Sequence, residues 1–393
     1  MPAPLLLDLS HTSHTRARTG IQRVGRSLRR ALAARALTVC FDPYLGAWRP
    51  LEAFEEENLA SSRPAPGRRA RWPLWVRFRG RLRRLRSGTG PLAVTPGAFT
   101  GVLVPEIFSP EVSRALPQLF QASKGPRVAL FHDAIVLQYP ELSPRRSVGR
   151  FPGYLRELLQ FDGVAAISEA SKACLLEYWR WLGVSRIPKL TAIPLGIDPA
   201  ADVTPSGTPS GPPTILSVGS IEARKNHIAL LDACESLWAR GLEFRLRLIG
   251  MANAETGRPA LRRIEELKSS GRPLRYSGPE DEACLAEAYR ECTFTVYPSL
   301  AEGFGFPVAE SLSRGKPCLC RMDGALGEIA RDGGCLGLGS AGSQEIAAAI
   351  AALLESPSKL APLEEAARAR RFKGWTDYAG ELLDWMQSLG RQP

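Results

Sequence analysis

Short apolar runs alternate with helix-spaced apolar positions from the beginning of the chain. Residues 5–9 form an apolar run bounded by polar residues, which predicts a buried strand. Apolar residues then recur at Ile21, Val24, Leu28 and Leu32, a spacing that places them on one face of a helix. A strand followed by a loop and a helix is how doubly wound α/β folds begin.

The alternation runs through the first half and restarts in the second. The first half predicts strands at 102–104, 128–131 and 164–167, and a helix at 170–181 that Ser168 caps. The second half predicts strands at 215–218, 244–249, 294–297 and 317–320, and helices at 226–240, 281–290, 307–314 and 343–355. Because strands and helices alternate with short connections, we predict an α/β protein with two parallel sheets.

A segment rich in Pro, Gly, Ser and Thr separates the two halves at 203–213. Such a composition builds no core and favours extended backbone, so the segment is predicted to be a linker. We expect an N-terminal domain at 1–200, the linker at 201–213, a C-terminal domain at 214–370 and a final helix within 371–393. The length of 393 residues suits two cores, and two open sheets that face each other are expected to bind ligand in a cleft between them.

The net charge of +11 is unevenly distributed, because the stretch from Arg63 to Arg86 holds ten arginines and no acidic residue. Such a stretch attracts phosphates, nucleic acid or an anionic membrane surface. From Leu74 onward the spacing predicts a short amphipathic helix with aromatic residues on one side, which suits the interface of an anionic bilayer. A solvated, partly disordered loop is the alternative interpretation.

The eight cysteines are scattered without any C-x-x-C pair, which is poor spacing for zinc and for a disulfide framework. We expect buried free thiols in a reducing cytosol. The apolar run before Asp8 is too short for a signal peptide, and no segment approaches the roughly 20 apolar residues that span a membrane. The expectation is a soluble protein or one that lies on a membrane surface.

The segment from Glu302 to Glu310, E-G-F-G-F-P-V-A-E, carries the most specific pattern in the chain. It follows a predicted strand, so Glu302 is expected in a Gly-containing loop and Glu310 about one turn into a helix that Pro307 begins. Glycines permit close approach to a ligand, and a helix N-terminus favours a phosphate. The carboxylates suit sugar hydroxyls, although a capping glutamate and a surface glutamate explain the spacing equally well.

Two cations, Arg224 and Lys225, follow a strand that ends at Gly219 and precede a predicted helix. Positive charge at a helix N-terminus is unfavourable unless an anion lies among the cations, so this local conflict points to a function. Exposed surface cations are the alternative. In the first half, His132 and Asp133 end a predicted strand, where a lone histidine is more often structural than catalytic.

These segments resemble the family 4 retaining glycosyltransferases, which have the GT-B fold. The E-x7-E motif with its G-F-G-F-P filling and the R-K-N segment carry the resemblance. The passages H-D-…-Y-P-E from His132 and T-G-I-Q-R from Thr19 resemble a bacterial subgroup that builds lipopolysaccharide and capsule. The resemblance covers most of the chain except the arginine-rich stretch. It implies two Rossmann-like domains facing a central cleft, with the final helix crossing back to the first domain.

The resemblance also implies a role for each candidate residue. Glu302 would contact hydroxyls of the transferred sugar, Glu310 would contact the nucleotide ribose, and His132 would reach the donor sugar. Arg224 and Lys225 would neutralise the donor diphosphate. The implied catalytic set is His132, Glu302, Arg224 and Lys225, and the implied donor-binding set is Gly20, Gly219, Arg224, Lys225, Gly303, Phe304, Gly305, Phe306 and Glu310.

The implied reaction is a retaining, metal-independent hexose transfer without a cofactor, with mannose from GDP-mannose as the expected donor. The expected acceptor is a glycan or lipid-linked glycan of a bacterial cell-surface polysaccharide. The expected location is the cytoplasm or the inner face of the cytoplasmic membrane. A nucleotide-sugar epimerase of the same fold and a basic nucleic-acid-binding protein are the alternatives. No nucleic-acid partner is expected, because the arginines are confined to one segment and no recognised nucleic-acid module is present.

Overall fold

The chain forms two compact units in a computed structural model that describes residues 4–61, 71–87, 97–198 and 211–390. Unit 1 comprises Met1–Asp133, Arg150–Gly196 and Trp375–Pro393, and unit 2 comprises Ala134–Gly149 and Ile197–Gly374. The expected domain bounds of 1–200 and 214–370 differ from these units chiefly at 134–149. The predicted linker at 201–213 lies almost entirely outside the described residues.

Unit 1 is built on a seven-stranded sheet in the order β3-β2-β1-β4-β5-β6-β7. Its strands are β1 (Leu5–Asp8), β2 (Ala36–Asp42), β3 (Ala47–Pro50), β4 (Val102–Val104), β5 (Arg127–Phe131), β6 (Gly163–Ala166) and β7 (Lys189–Ala192). Neighbouring strands pair in parallel except β2 and β3, which are antiparallel. Strands β1, β4 and β6 are buried throughout, as expected of parallel strands covered on both faces.

Between β1 and β7, the described residues form seven α-helices. They are α1 (Gly20–Leu32), α2 (Ala53–Ala60), α3 (Leu74–Ser87), α4 (Pro110–Gln121), α5 (Ile135–Gln138), α6 (Arg145–Glu157) and α7 (Glu169–Trp181). The predicted cap of α7 is confirmed, because the Ser171 N–H donates to Ser168 Oγ at 3.1 Å. The predicted amphipathic helix is confirmed as α3, whereas residues 63–70 of the arginine-rich stretch lie outside the described residues.

Unit 2 holds a parallel six-stranded sheet in the order β10-β9-β8-β11-β12-β13. The strands are β8 (Thr214–Val218), β9 (Arg245–Ile249), β10 (Leu274–Tyr276), β11 (Phe294–Tyr297), β12 (Cys318–Arg321) and β13 (Cys335–Leu338). The helices are α8 (His227–Ala239), α9 (Arg258–Ser269), α10 (Glu282–Glu291), α11 (Phe306–Ser313), α12 (Gly324–Ala330), α13 (Ser343–Glu355) and α14 (Pro357–Ala369). In this doubly wound order the winding direction reverses between β8 and β11, which is where such sheets bind ligands.

The last helix, α15 (Trp375–Ser388), belongs to unit 1 although unit 2 precedes it in the chain. It packs on α1 and buries Leu382. A Cβ at Gly163 in β6 would stand 2.7 Å from both Trp385 and Leu389. The final helix therefore lies directly against the first sheet, as the GT-B resemblance implied.

No single helix of the described ranges is long and apolar enough to cross a membrane. Helices α13 and α14 have the length and composition of a membrane span only when they are taken together, and a bend of 93° separates them. Ile346, Ile350 and Leu353 of α13 are buried in the core of unit 2, where α13 packs on α8. Burial in the core thus explains the apolar composition of α13.

Two sequence-based expectations need correction. The helix predicted from Asn226 begins at His227, because Asn226 adopts a left-handed φ of 58° after a short 3₁₀ turn at Ala223–Lys225. Asparagine tolerates this conformation, so the apolar spacing did not reveal the break. The expectation of buried cysteines is wrong for three of the eight free thiols, because Cys284 is exposed and Cys174 and Cys335 are half-buried.

Candidate functional site

The loops after β8 and β11 meet at the point where the winding of the unit 2 sheet reverses. The Leu300 N–H donates to the Arg224 carbonyl at 2.8 Å and ties the two loops together. The ends of β8 and β9 also approach closely, because a Cβ at Gly250 would lie 1.8 Å from the Gly219 carbonyl oxygen. The loops therefore lie close together at the carboxyl ends of the strands.

Glu302 lies between two cations at this edge. Its carboxylate accepts hydrogen bonds from Arg224 Nη1 at 2.9 Å and from Lys225 Nζ at 2.5 Å. Arg224 also pairs with Glu222 through Nη2 at 2.8 Å. The positive charge that stands ahead of α8 is thus balanced by carboxylates of the chain itself. Arg224 is the more accessible cation, with 26% of its side chain exposed against 8% for Lys225.

Tyr297 and Ser299, at the end of β11, fix the position of this carboxylate. The Tyr297 hydroxyl donates to Glu302 Oε1 at 2.8 Å, and the Ser299 hydroxyl donates to the same oxygen. Lys225 Nζ donates to the Tyr297 hydroxyl and lies 4.7 Å from the centre of its ring. We refer to Arg224, Lys225, Tyr297, Ser299 and Glu302 as the Glu302 cluster. Tyr297 and Ser299 were not singled out from the sequence, although they end a predicted strand.

The electrostatics of the Glu302 cluster favour an ionised carboxylate. Burial alone would raise the pKa of Glu302, but the charges of Arg224 and Lys225 outweigh burial and lower this pKa to about 2. Burial and the Arg224 charge lower the pKa of Lys225 against the opposing effect of Glu302. Burial and the Glu302 charge raise the pKa of Tyr297, which stays a neutral hydroxyl donor. The cluster can therefore bind phosphate oxygens through its cations and hydroxyl groups through its carboxylate.

Residues 303–306 lead from this cluster into α11, as the sequence predicts. Gly305 precedes the helix in a left-handed conformation with a φ of 108°. A Cβ at this position would stand 2.7 Å from Leu326, so only glycine fits without strain. The rings of Phe304 and Phe306 pack edge to face with centroids 5.2 Å apart. The positive end of the α11 dipole thus follows directly on the Glu302 loop.

Glu310 is buried in α11, whose first turn holds Pro307 as predicted. The carboxylate accepts a hydrogen bond from the Tyr289 hydroxyl of α10 at 3.2 Å. Arg314 donates to the Glu310 carbonyl at 3.2 Å and lies 4.7 Å from the centre of the Tyr289 ring. Tyr289, which was not identified from the sequence, therefore orients Glu310. The contact of Glu310 with a ribose stays a prediction.

His132 lies directly after β5 in unit 1, and its ring is buried. Nε2 is 2.7 Å from the Pro105 carbonyl oxygen, and Ser171 Oγ donates to the His132 carbonyl at 2.7 Å. When Nε2–H donates to that carbonyl, Nδ1 is the nitrogen that can accept a hydrogen bond. Burial lowers the pKa of the imidazole, which favours the neutral ring. The contact of His132 with a donor sugar stays a prediction.

Gly20 is the first residue of α1, in unit 1. Nothing lies within 4 Å of the place where its Cβ would stand, and the first turn of α1 contains no acidic residue. The positive end of this helix dipole is therefore not offset by a carboxylate of its own first turn. An open helix N-terminus of this kind suits a phosphate, and the predicted phosphate contact of Gly20 stays a prediction.

Two buried carboxylates that the sequence did not single out shape the loop before α1. Glu106 accepts from the N–H groups of His11 at 2.9 Å and Thr12 at 3.0 Å. Asp8 accepts from the N–H of Ser10 at 2.8 Å and from its hydroxyl at 2.6 Å. Burial and the charge of Glu106 raise the pKa of Asp8 to about 7. Asp8 ends β1 and Glu106 lies two residues after β4, and these positions were the signal that the sequence offered.

His14, Cys40 and Glu55 form the one group among the described residues whose spacing suits a metal ion. The Glu55 carboxylate already accepts two hydrogen bonds from Arg49, both at 2.7 Å, and His14 Nε2 lies 2.7 Å from Glu55 Oε1. Burial raises the pKa of the Cys40 thiol, which disfavours the thiolate that binds metals. The group is therefore a buried ionic network in which a guanidinium supplies the positive charge.

Residues 201–370 match the family model of the group 1 glycosyl transferases. This match contains the Glu302 cluster and α11. The segment 201–370 belongs to the group 1 glycosyltransferases. The resemblance drawn from the E-x7-E and R-K-N segments is thereby confirmed at the level of the family.

Two kinds of relative share sequence with this chain. The serotype-specific mannosyltransferase WbdA of Escherichia coli is 27% identical over 345 residues, which are 84% of this chain and 40% of WbdA. The chain thus spans about 40% of the length of this relative. D-inositol 3-phosphate glycosyltransferase 2 of Catenulispora acidiphila is 32% identical over 188 residues, 45% of this chain and 44% of the relative.

Solved structures confirm the GT-B fold over nearly the whole chain. Anabaena HepE, crystallised with UDP and glucose, aligns with a TM-score of 0.67 at 17% identity and covers 99% of this chain and 100% of its own. The sucrose-phosphate synthase of Thermosynechococcus elongatus aligns with a TM-score of 0.66 at 20% identity, covering 98% of both chains. At these identities the likeness establishes the fold alone.

Proposed function

We propose that the chain transfers mannose from GDP-mannose to a glycan or lipid-linked glycan acceptor in the synthesis of a bacterial cell-surface polysaccharide. The observation that carries the proposal is the Glu302 cluster, which sets two cations and a carboxylate at the ligand-binding edge of a sheet that matches the family. The choice of mannose rests on the names of relatives. These include WbdA and the O-antigen chain mannosyltransferase B of Escherichia coli, the latter 26% identical over 220 residues.

Arg224 and Lys225 are proposed to bind the donor diphosphate. In the structure both cations contact Glu302, so an arriving diphosphate replaces one anionic partner of the cations by another and keeps the cations paired. Glu302 is then available to accept hydrogen bonds from the sugar hydroxyls. Glu310, held by Tyr289, is assigned to the ribose.

The proposed transfer is retaining and independent of a metal. The bond between the anomeric carbon and the diphosphate oxygen breaks, and the acceptor oxygen bonds to the same face of the sugar. The acceptor proton passes to the departing phosphate. Arg224, Lys225 and the N-terminus of α11 stabilise the charge on the leaving group, which is one task of a divalent metal elsewhere.

We propose a cytoplasmic location for this reaction. The eight cysteines are free, and free thiols suit a reducing compartment. The polymer that the relatives' names indicate belongs to the cell surface, so a lipid-linked acceptor would bring the substrate to the inner face of the cytoplasmic membrane.

The donor site is tested by titrating the purified protein in EDTA with GDP-, UDP- and dTDP-sugars and following the melting temperature. A rise with GDP-mannose is expected, because a ligand stabilises the state that binds it. The rise should be absent in Lys225→Ala and Glu310→Ala. Lys268→Ala is the matched control, because Lys268 pairs with Glu265 on the exposed side of α9.

The outcomes of this titration separate the parts of the proposal. A shift with another nucleotide-sugar alone would reject GDP-mannose but keep the donor site, whereas no shift with any nucleotide would overturn the site. Product analysis by NMR then tests retention of the anomeric configuration. Incubation of the donor without acceptor tests the epimerase alternative, since appearance of the C2 epimer would contradict transfer.

A further inference from the structure

Helix α3 turns its apolar side away from the body of unit 1. Its exposed apolar residues are Leu74 (77%), Trp75 (54%), Phe78 (72%), Leu82 (37%) and Leu85 (84%). At about 100° per residue, they fall within an arc of about 100° and form one continuous stripe along the helix. We call these five residues the apolar stripe. They account for five of the eleven exposed large apolar side chains among the described residues.

The opposite side of α3 attaches the helix to unit 1. Val76 is buried, and a Cβ at Gly80, one turn later, would stand 2.9 Å from Tyr44. Immediately before the helix, the ring of Trp72 stacks on His14 with centroids 3.8 Å apart. Because these contacts fix the helix by its other side, they also fix the outward direction of the apolar stripe.

Arginines flank the apolar stripe along both of its edges. Arg77, Arg81 and Arg84 follow one edge, and Arg79 and Arg83 lie toward the other. Arg77 and Arg81 lie 5.4 and 5.6 Å from the centre of the Tyr44 ring, and Arg79 pairs with Glu52 of unit 1. The helix itself contains no acidic residue. A surface that covers the stripe therefore meets a border of positive charge.

We propose that α3 docks unit 1 on an anionic lipid bilayer, with the helix parallel to the surface. The apolar stripe enters the boundary between headgroups and acyl chains, and the arginines contact the lipid phosphates. Helices with one apolar face and a basic border bind in this way through apolar burial and through attraction to anionic lipid.

Other binding partners would explain either the apolar stripe or the arginines of α3, but not both. A nucleic acid would pair with the arginines but leave five apolar side chains in water. A second copy of the chain would cover the stripe but bring two arginine borders together. An anionic bilayer satisfies both observations, and this inference does not depend on the chemistry of sugar transfer.

The test is sedimentation of the full chain with vesicles of equimolar phosphatidylglycerol and phosphatidylcholine, without donor or acceptor. The chain should sediment with these vesicles and much less with pure phosphatidylcholine, and added salt should weaken binding. Phe78→Glu and Leu85→Glu should each weaken binding about tenfold or more. Each substitution removes an apolar group from the boundary and adds a charge that the anionic surface repels.

Trp181→Glu is the matched control, because Trp181 is 78% exposed in the same unit but lies at the end of α7. It should bind as the unchanged protein does, and equal melting temperatures would show that all variants fold. Equal weakening by the control would overturn the proposal, and so would the absence of vesicle binding. In the latter case, binding of a single-stranded oligonucleotide or self-association lost in Phe78→Glu would identify the actual occupant.

Discussion

At the scale of single residues, four side chains hold Glu302 in place. A substitution can therefore keep the position of this side chain while it removes the charge. Glu302→Gln keeps the shape and removes the charge. We expect turnover to fall about 100- to 1000-fold, as for loss of one preorganised group in a transition state. Binding of GDP should persist, because Arg224 and Lys225 remain and no carboxylate competes for them. Turnover assays and calorimetric titration with GDP measure the two effects.

Glu222→Gln is the control for this substitution, because the Glu222 carboxylate forms an ion pair with Arg224, whereas the Glu302 carboxylate forms ion pairs with both Arg224 and Lys225. It should change turnover much less than Glu302→Gln does. If Glu302→Gln lost GDP affinity to the same degree as turnover, the separation of roles between cations and carboxylate would be wrong.

The pKa of Glu302 predicts how stability depends on acid pH. Because the pKa of the folded state is lowered from 4.5 to about 2, the ionised carboxylate contributes stability that is fully present above about pH 4.5 and is lost as pH falls toward 2. The contribution is up to about 3 kcal/mol. Urea unfolding at several pH values should show a steeper acid loss in the unchanged protein than in Glu302→Gln. Parallel curves would contradict this.

Asp8 predicts the opposite dependence. Its pKa is raised from 3.8 to about 7 in the folded state, which therefore binds the proton more tightly than the unfolded chain does. The contribution of Asp8 is fully present below about pH 3.8 and is lost as pH rises to 7. Asp8→Asn keeps an acceptor for Ser10 and removes the titration. Its free energy of unfolding should rise relative to that of the unchanged protein over this range, as denaturation at each pH would show.

The site residues recognised from the sequence are those that stand at a characteristic spacing along the chain. Glu302, Glu310, Arg224 and Lys225 stand at fixed distances from strand ends and glycines, so the pattern made them candidates and the family resemblance gave each a role. Tyr289 contacts Glu310 from a different helix, and such a contact depends on how α10 and α11 pack. Linear spacing does not encode that arrangement.

At the scale of elements, the turn into α11 depends on one glycine. Gly305→Ala places a Cβ 2.7 Å from Leu326 and 3.3 Å from Ile329 in a left-handed backbone, so we expect a loss of about 1–3 kcal/mol in the free energy of unfolding. Gly380→Ala is the control, because nothing lies within 4 Å of its Cβ position in α15. That change should stabilise by up to about 1 kcal/mol. Equal effects in urea unfolding would refute the steric argument.

Strands with continuous apolar runs were predicted, and edge strands were not. β4, β5 and β6 are central and buried, so their composition reveals them. β7 has the sequence K-L-T-A at the edge of its sheet, and none of its residues is fully buried. Because an edge strand shares its faces with solvent, it lacks the apolar run that the prediction requires.

At the scale of the whole molecule, the division into two units predicts that a core mutation in unit 1 lowers stability without changing nucleotide affinity. Leu382→Ala in α15 removes a fully buried side chain from unit 1 and should lower the free energy of unfolding by about 2–5 kcal/mol. Nucleotide affinity well below the melting temperature should not change, because the Glu302 cluster lies in unit 2. Gln387→Ala, at an exposed position of the same helix, should affect neither. An affinity that fell with stability in Leu382→Ala would contradict this separation.

The return of α15 to unit 1 sets an order of events on the ribosome. Residues 197–374 must be synthesised between the last strand of unit 1 and the helix that packs against its sheet. At roughly 5–20 residues per second, that interval lasts about 10–35 seconds. The nascent chain therefore carries an unfinished first unit, with Gly163 and its neighbours uncovered, while the second unit becomes complete. In a product truncated before Trp375, the surface around Gly163 stays exposed. We therefore expect chaperones to bind this product and proteases to degrade it.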